Sequence, residues 1–362
     1  MVTAQTKSIS NLVIGTYTQP GKSEGIYVYE FNSITGDFSY KNKATGVANP
    51  SFLAISSNKK YVYAVNETGR EAPGGVSSFA FDEKSGDLKF LNKVPSMGDD
   101  PCYISIDKAN KNIFVGNYSG GNLSVFKIQP NGSLYTSMQV IQHEGISVNK
   151  SRQEKPHVHS TVISPDNKYL FAADLGTDKV NAYRLRSRNY PNVLSDHQPP
   201  FTAVAPGSGP RHLTFHPNGK IAYLIHEMTA DVSVYHYEKG KLTAIQSISM
   251  LAPGFKGKVG AADIHVSPDG RFLYASNRGD ADEIVIYAIA EDGRISLTGR
   301  QSTLGKGPRN FAIDPSGNFL LAANQNSDEI VVFKRNTENG LLTDTGKKIE
   351  VSQPVCLKFA DL

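Results

Sequence analysis

The chain has 362 residues, a formal net charge of +4 and 20% charged residues. It can hold one large domain or two ordinary ones, and without a dense Lys/Arg run its charge balance argues against a nucleic-acid partner. Two distant cysteines, Cys102 and Cys356, give neither a disulfide framework nor a zinc spacing. No apolar run reaches the roughly 18 residues of a membrane-crossing helix, and residues 1–10 lack the apolar stretch of a signal peptide. No membrane partner is therefore expected, residues 1–10 read as a flexible tail, and the expected location is cytoplasmic (periplasmic where a signal has been removed).

In chain order, the first elements are alternating apolar segments at 12–16, 26–31 and 38–44. A unit then repeats. Its opening slot is filled by Pro50, Pro101, Val158, Pro210, Ala261, Pro308 and Pro354, at spacings of roughly 46 to 57 residues, a little longer than usual blade repeats. Each slot opens an alternating apolar strand, a turn such as Pro165-Asp166-Asn167 or Pro268-Asp269-Gly270, and a second strand rich in Tyr, Phe, Leu, Val and Ala. A third strand usually follows, as at 76–81, 180–185 and 284–289, and a weaker fourth leads into the next copy. The copy over 209–235 is the plainest. Asn218-Gly219 between two apolar runs signals a hairpin, because both residues tolerate positive φ. The chain thus returns His226 and Glu227 to the sheet end where Arg211 and His212 begin it.

Four short strands per repeat predict an all-β, seven-bladed β-propeller with four-stranded antiparallel blades, one domain over 1–362. The last slot has only one strand, 355–359. The N-terminal segments supply the missing three, so first and last segments share a blade and close the ring without a free edge. The longest irregular stretches are 143–156 and 186–206, a length that is often functional or mobile.

Two rim positions per blade follow. The residue after the slot gives Ser51, Cys102, His159, Arg211, Ala262, Arg309 and Val355. The end of the second strand gives paired neighbours, among them Tyr17, Asn66-Glu67, Asn117-Tyr118, His226-Glu227 and Asn277-Arg278. Arg211, Arg278 and Arg309 converge with His157, His159, His212, His226, Glu67 and Glu227. Guanidinium forks match carboxylate or phosphate bidentately, and a Glu with a His can serve as acid and base. The bland alternatives are turn caps for Asn66, Asn117, Asp174, Asn277 and Asn324, and an ion pair between blades for Arg211 and Glu227. His157 and His159 share a strand face, but no third metal ligand has telling spacing. His265 is placed to line the channel; His143, His197, His216 and His236 read as surface or loop residues.

The motifs Gly15-Thr16-Tyr17-Thr18, Asn49-Pro50-Ser51 with Asn66-Glu67, Pro156-His157-Val158-His159, Gly209-Pro210-Arg211-His212 with His226-Glu227, Ser276-Asn277-Arg278-Gly279 and Gly307-Pro308-Arg309-Asn310 also carry a resemblance. Over essentially its whole length the chain resembles the lactonase family of seven-bladed propellers. That family includes propeller-type 6-phosphogluconolactonases and fungal carboxymuconate-lactonizing enzymes. The resemblance implies a catalytic set of His159 (or His157), Arg211, Glu227 and Arg278, and a cofactor-free reaction on a small anionic lactone or sugar phosphate. His157, His212, Arg309, Glu67 and Asn277 are expected to contact substrate. Hydrolysis of 6-phosphogluconolactone is the leading expectation, a muconate-type cyclase or other sugar lactonase the next. A non-catalytic propeller would show apolar anchors on its rim, whereas here the aligned aromatics are Tyr17 and Tyr118 alone.

Overall fold

The computed structural model describes residues 8–69, 72–186 and 192–361. Among them the chain forms seven four-stranded antiparallel sheets and no helix. Blades 1 to 6 occupy 53–95, 101–142, 158–203, 210–249, 261–302 and 308–350. Blade 7 is composite: Pro354–Asp361 pairs with Ile9–Thr16, followed by Gly25–Asn32 and Phe38–Thr45. The expected closure of the ring is thus present.

The strand opening at each slot is innermost, and these seven strands touch their successors around the ring. Second strands such as Ile221–His226 are buried along their whole length, because a neighbouring blade covers each face. This explains their continuous apolar runs. Outer strands such as Lys241–Ser249 are largely open to solvent. The core is correspondingly divided into layers between blades: Phe171, Leu213 and Tyr235 between blades 3 and 4, and Tyr274, Phe311 and Phe333 between blades 5 and 6.

One irregularity recurs where the inner strands begin. Val158 pairs with Asp174 but Ser160 with Ala173, leaving His159 unpaired. The same slip leaves Arg211 between Pro210 and His212, and Arg309 between Pro308 and Asn310. Such a bulge re-aims the extra side chain. Repetition therefore delivers a similar aim in these blades, and the residue type at that position sets the local chemistry.

Three sequence expectations need correction. The strand starting at Ile9 includes residues read as tail, and Ser10 is buried there; residues 1–7 lie outside the described residues. Strand Leu194–Ala203 runs through a stretch read as irregular, its polar composition reflecting its outermost place. At the Asn218-Gly219 turn only Gly219 takes positive φ, 70°. Asn218 instead accepts a bond from the Lys220 N–H through its side chain, so the turn is wider than a two-residue hairpin.

Candidate active site

Glu227 follows the second strand of blade 4, and its N–H is tied to the Gly209 carbonyl at 2.8 Å. Its Oε2 accepts from Arg211 Nε at 2.9 Å and lies 3.2 Å from an Arg278 terminal nitrogen. Its Oε1 accepts from Arg152 at 2.7 Å. Burial alone would raise this carboxyl, but the charges of Arg278 and Arg211 outweigh it and hold it well below the usual range. Glu227 is ionised.

A second carboxylate stands across the rim. Glu67 accepts bonds from the Tyr17 hydroxyl at 2.8 Å and from the Ser51 hydroxyl, while Arg309 lies 3.9 Å away and over the Tyr17 ring. Four guanidinium groups thus meet two carboxylates, a surplus of two positive charges. Arg152, Glu227, Arg278 and Arg309 border a cleft of about 720 Å³, together with Lys258, Lys306 and Asp282, within the size range of small-molecule sites.

Beneath the cleft lies a supporting layer. Arg211 is only 1% exposed. One terminal nitrogen donates to the Ala262 carbonyl and lies against the face of His212, and burial lowers its affinity for its proton. His212 in turn bonds Asp263 at 2.8 Å, and the other oxygen of Asp263 takes His265 at 2.8 Å and Asn310. Burial and then the Arg211 charge push His212 down to about 3. It is therefore neutral, and Nδ1–H donates to Asp263 in the tautomer that suits this contact. His159 is likewise held neutral by burial and by Arg211, with Nε2 3.8 Å from Glu227. His212 and His265 border the deeper channel, a cavity of about 520 Å³ opening away from the cleft.

The structure brings Glu227, Arg278 and Arg309 together at the cleft, with Glu67 behind Arg309 and with Arg211 and His159 against Glu227. His157 stacks on Tyr118 with centroids 4.4 Å apart and bonds Glu154, one layer behind the rim. Asn277, expected to contact substrate, points elsewhere: it is fully buried and accepts from the Gly260 N–H. It is a turn cap, as are Asn66, Asn117 and Asn324. His143, read as a loop residue, is buried and bonded to Asp174 at 2.8 Å.

Two participants escaped the sequence reading. Asp263 sits in the blade 5 bulge, which skips two residues where the others skip one. Arg152 comes from the 143–156 connection, whose length was its only signal. Among the described residues, no three His, Cys, Asp or Glu side chains are arranged to hold a metal.

His226 shows what burial costs at this rim. It bonds Ser233 and is pushed down to about 4, first by desolvation. An unfolded chain takes up its proton near 6.5 while the folded chain refuses it. Stability on this account is full above pH 6.5 and falls as pH drops toward 4, by up to about 3 kcal/mol. His226→Gln should flatten that part of the profile of melting temperature against pH, whereas an unchanged acid slope would assign it to other groups.

The chain matches the family model described as lactonase, 7-bladed β-propeller, over residues 11–359. It is 38% identical to a 6-phosphogluconolactonase of Formosa agariphila over 83% of this chain and 86% of that protein. A 6-phosphogluconolactonase of Bacillus subtilis is 36% identical over 96% and 97%. The structure of a periplasmic gluconolactonase from Pseudomonas aeruginosa superposes with a TM-score of 0.94 at 40% identity, covering 98% of this chain and all of that one. With the fold, the composite blade and the registered rim motifs in agreement, the chain belongs to the lactonase family of seven-bladed β-propellers.

Proposed function

We propose that this protein is a lactonase that hydrolyses 6-phosphogluconolactone to 6-phosphogluconate, and so serves the pentose phosphate pathway. The observation that carries the reading is Glu227, an ionised carboxylate held by guanidinium groups at the floor of a cleft with surplus positive charge. The names of its relatives at 36% and 38% identity support it. A charged phosphosugar does not cross a bilayer unaided, so the matching location is the cytoplasm.

The chemistry follows from the charges. The Glu227 carboxylate takes a proton from water as the water oxygen bonds to the lactone carbonyl carbon. Negative charge grows on the carbonyl oxygen, and preorganised donors stabilise it most where water is scarce. Arg278 and Arg309 present N–H groups to the cleft for this role. Arg211, out of reach of solvent, fixes Glu227. Collapse breaks the bond to the ring oxygen, which takes the proton held by Glu227. His159, held neutral with Nε2 3.8 Å from Glu227 Oε2, adds no charge of its own beside the carboxylate.

Freshly generated 6-phosphogluconolactone tests the reading, with spontaneous hydrolysis subtracted. The protein should accelerate ring opening by orders of magnitude over buffer. A rate no faster than buffer ends the assignment.

A further inference from the structure

We infer that Arg152 is the residue that recognises a phosphate on the lactone, and that it does so by leaving Glu227. This rests on the lactonase reading and deepens it.

Arg152 differs from the other cleft arginines in origin and in freedom. It belongs to a connection between blades 2 and 3, not to the repeated rim positions. Its side chain is 44% exposed, against 20% for Arg278 and 17% for Arg309. It is held by one terminal nitrogen only, which donates to Glu227 Oε1 at 2.7 Å and to the Tyr118 hydroxyl at 3.2 Å. The base of the arm, by contrast, is fixed. Gln153 is fully buried and donates to the Leu175 carbonyl and to Asp178, and Ser147 donates to the same Asp178 oxygen. A long side chain on an anchored loop can change partner without the loop moving.

The cleft offers such a partner a place. Lys258 and Lys306 stand on its outer wall. Lys306 reaches Asp282 at 3.1 Å, while no ion pair among the described residues engages Lys258. Inner arginines are occupied with Glu227 and Glu67 and face the position of the carbonyl. The outer cations have no such work on an uncharged lactone. A phosphate monoester brings about −1.5 to −2 charges at neutral pH, which suits a cleft whose lining carries Arg152, Lys258, Arg278, Lys306 and Arg309 against Glu227 and Asp282.

The exchange has a second effect. Once Arg152 turns to the phosphate, Glu227 Oε1 loses its one charged partner among the described residues and faces the cleft. The carboxylate then has a free lone pair for water and a higher affinity for its proton. Phosphate would therefore act on turnover as well as on binding, which a passive anion subsite would not do.

The test compares kcat and KM for 6-phosphogluconolactone and for glucono-1,5-lactone in the wild type, Arg152→Ala, Arg152→Lys and the double variant Lys258→Ala/Lys306→Ala. The wild type should prefer the phosphorylated lactone. Arg152→Ala should reduce that preference roughly ten- to a hundredfold, the worth of a charge-assisted contact, with part of the loss in kcat. Arg152→Lys should recover part of it, and the lysine double variant should lower it through KM alone. Melting temperatures confirm that each variant is folded. Equal losses on both lactones in Arg152→Ala would overturn the inference, since Arg152 would then serve Glu227 only. So would a wild type indifferent to the phosphate. Either result leaves the lactonase reading standing, whereas turnover of neither lactone removes both.

Discussion

Glu227→Gln should lower kcat on 6-phosphogluconolactone by about a thousandfold, within the range assigned to general bases. The amide fills the same volume and can still accept from Arg211, but it cannot take the proton of water. KM should stay level or fall, because removing a negative charge leaves the cleft more attractive to an anionic substrate. Steady-state rates beside a thermal melt separate this from misfolding, which is a real risk: removing one partner of a buried ion pair typically costs about 3–5 kcal/mol. Glu227→Asp keeps the charge and serves as the folded control. A Gln variant that retains wild-type kcat removes Glu227 from the chemistry. The same residue sets the acid side of the pH profile. Burial would raise its carboxyl, yet the neighbouring arginines hold it well below 4.5. The base form therefore persists in mild acid, and kcat/KM should decline only below the usual carboxylate range.

Arg278→Ala should cost about a hundred- to a thousandfold in kcat, the effect of losing one donor to a developing oxyanion. Its terminal nitrogen lies 3.2 Å from Glu227 while its Nε donates to the Gly260 carbonyl at 2.9 Å. That two-point hold aims the guanidinium plane into the cleft. Lysine has no fork with which to make both contacts, so Arg278→Lys should recover little. Burial brings Arg278 down to about 10, which still leaves it charged at neutral pH. A lysine variant with nearly full kcat would show that charge alone suffices at this position.

The ring and its closure were legible in the sequence because blades repeat. A seven-fold pattern of slots, turns and strands repeats its signal, and the unmatched strand at 355–359 demanded the three N-terminal segments. Placing Arg211, Arg309 and His159 in one slot was correct for a reason the sequence does not display: each is the extra residue of a bulge. What remained hidden is what repetition does not encode. Asn277 closes a second strand and Glu227 follows one, yet Asn277 turns into the blade to cap a loop and Glu227 faces the cleft. Arg152 lies in an insertion, where no register carries over from other blades. Asp263 lies in an irregularity that skips two inner-strand residues opposite Ser276, unlike its counterparts. The division between residues that face the cleft and residues that brace them from below is a matter of depth, which a linear pattern does not report.

Blade 7 draws its inner strand from 354–361 and its other three from 9–45. Its contacts therefore join positions separated by nearly the whole sequence, the kind of pairing that slows folding. During synthesis, six blades can be complete while their partner strand is still unmade, leaving the edge of Ile9–Thr16 unoccupied. The nascent arc exposes that edge to any extended segment nearby until residues 354–361 arrive. Expression yield should accordingly be sensitive to changes in the last strand out of proportion to its length.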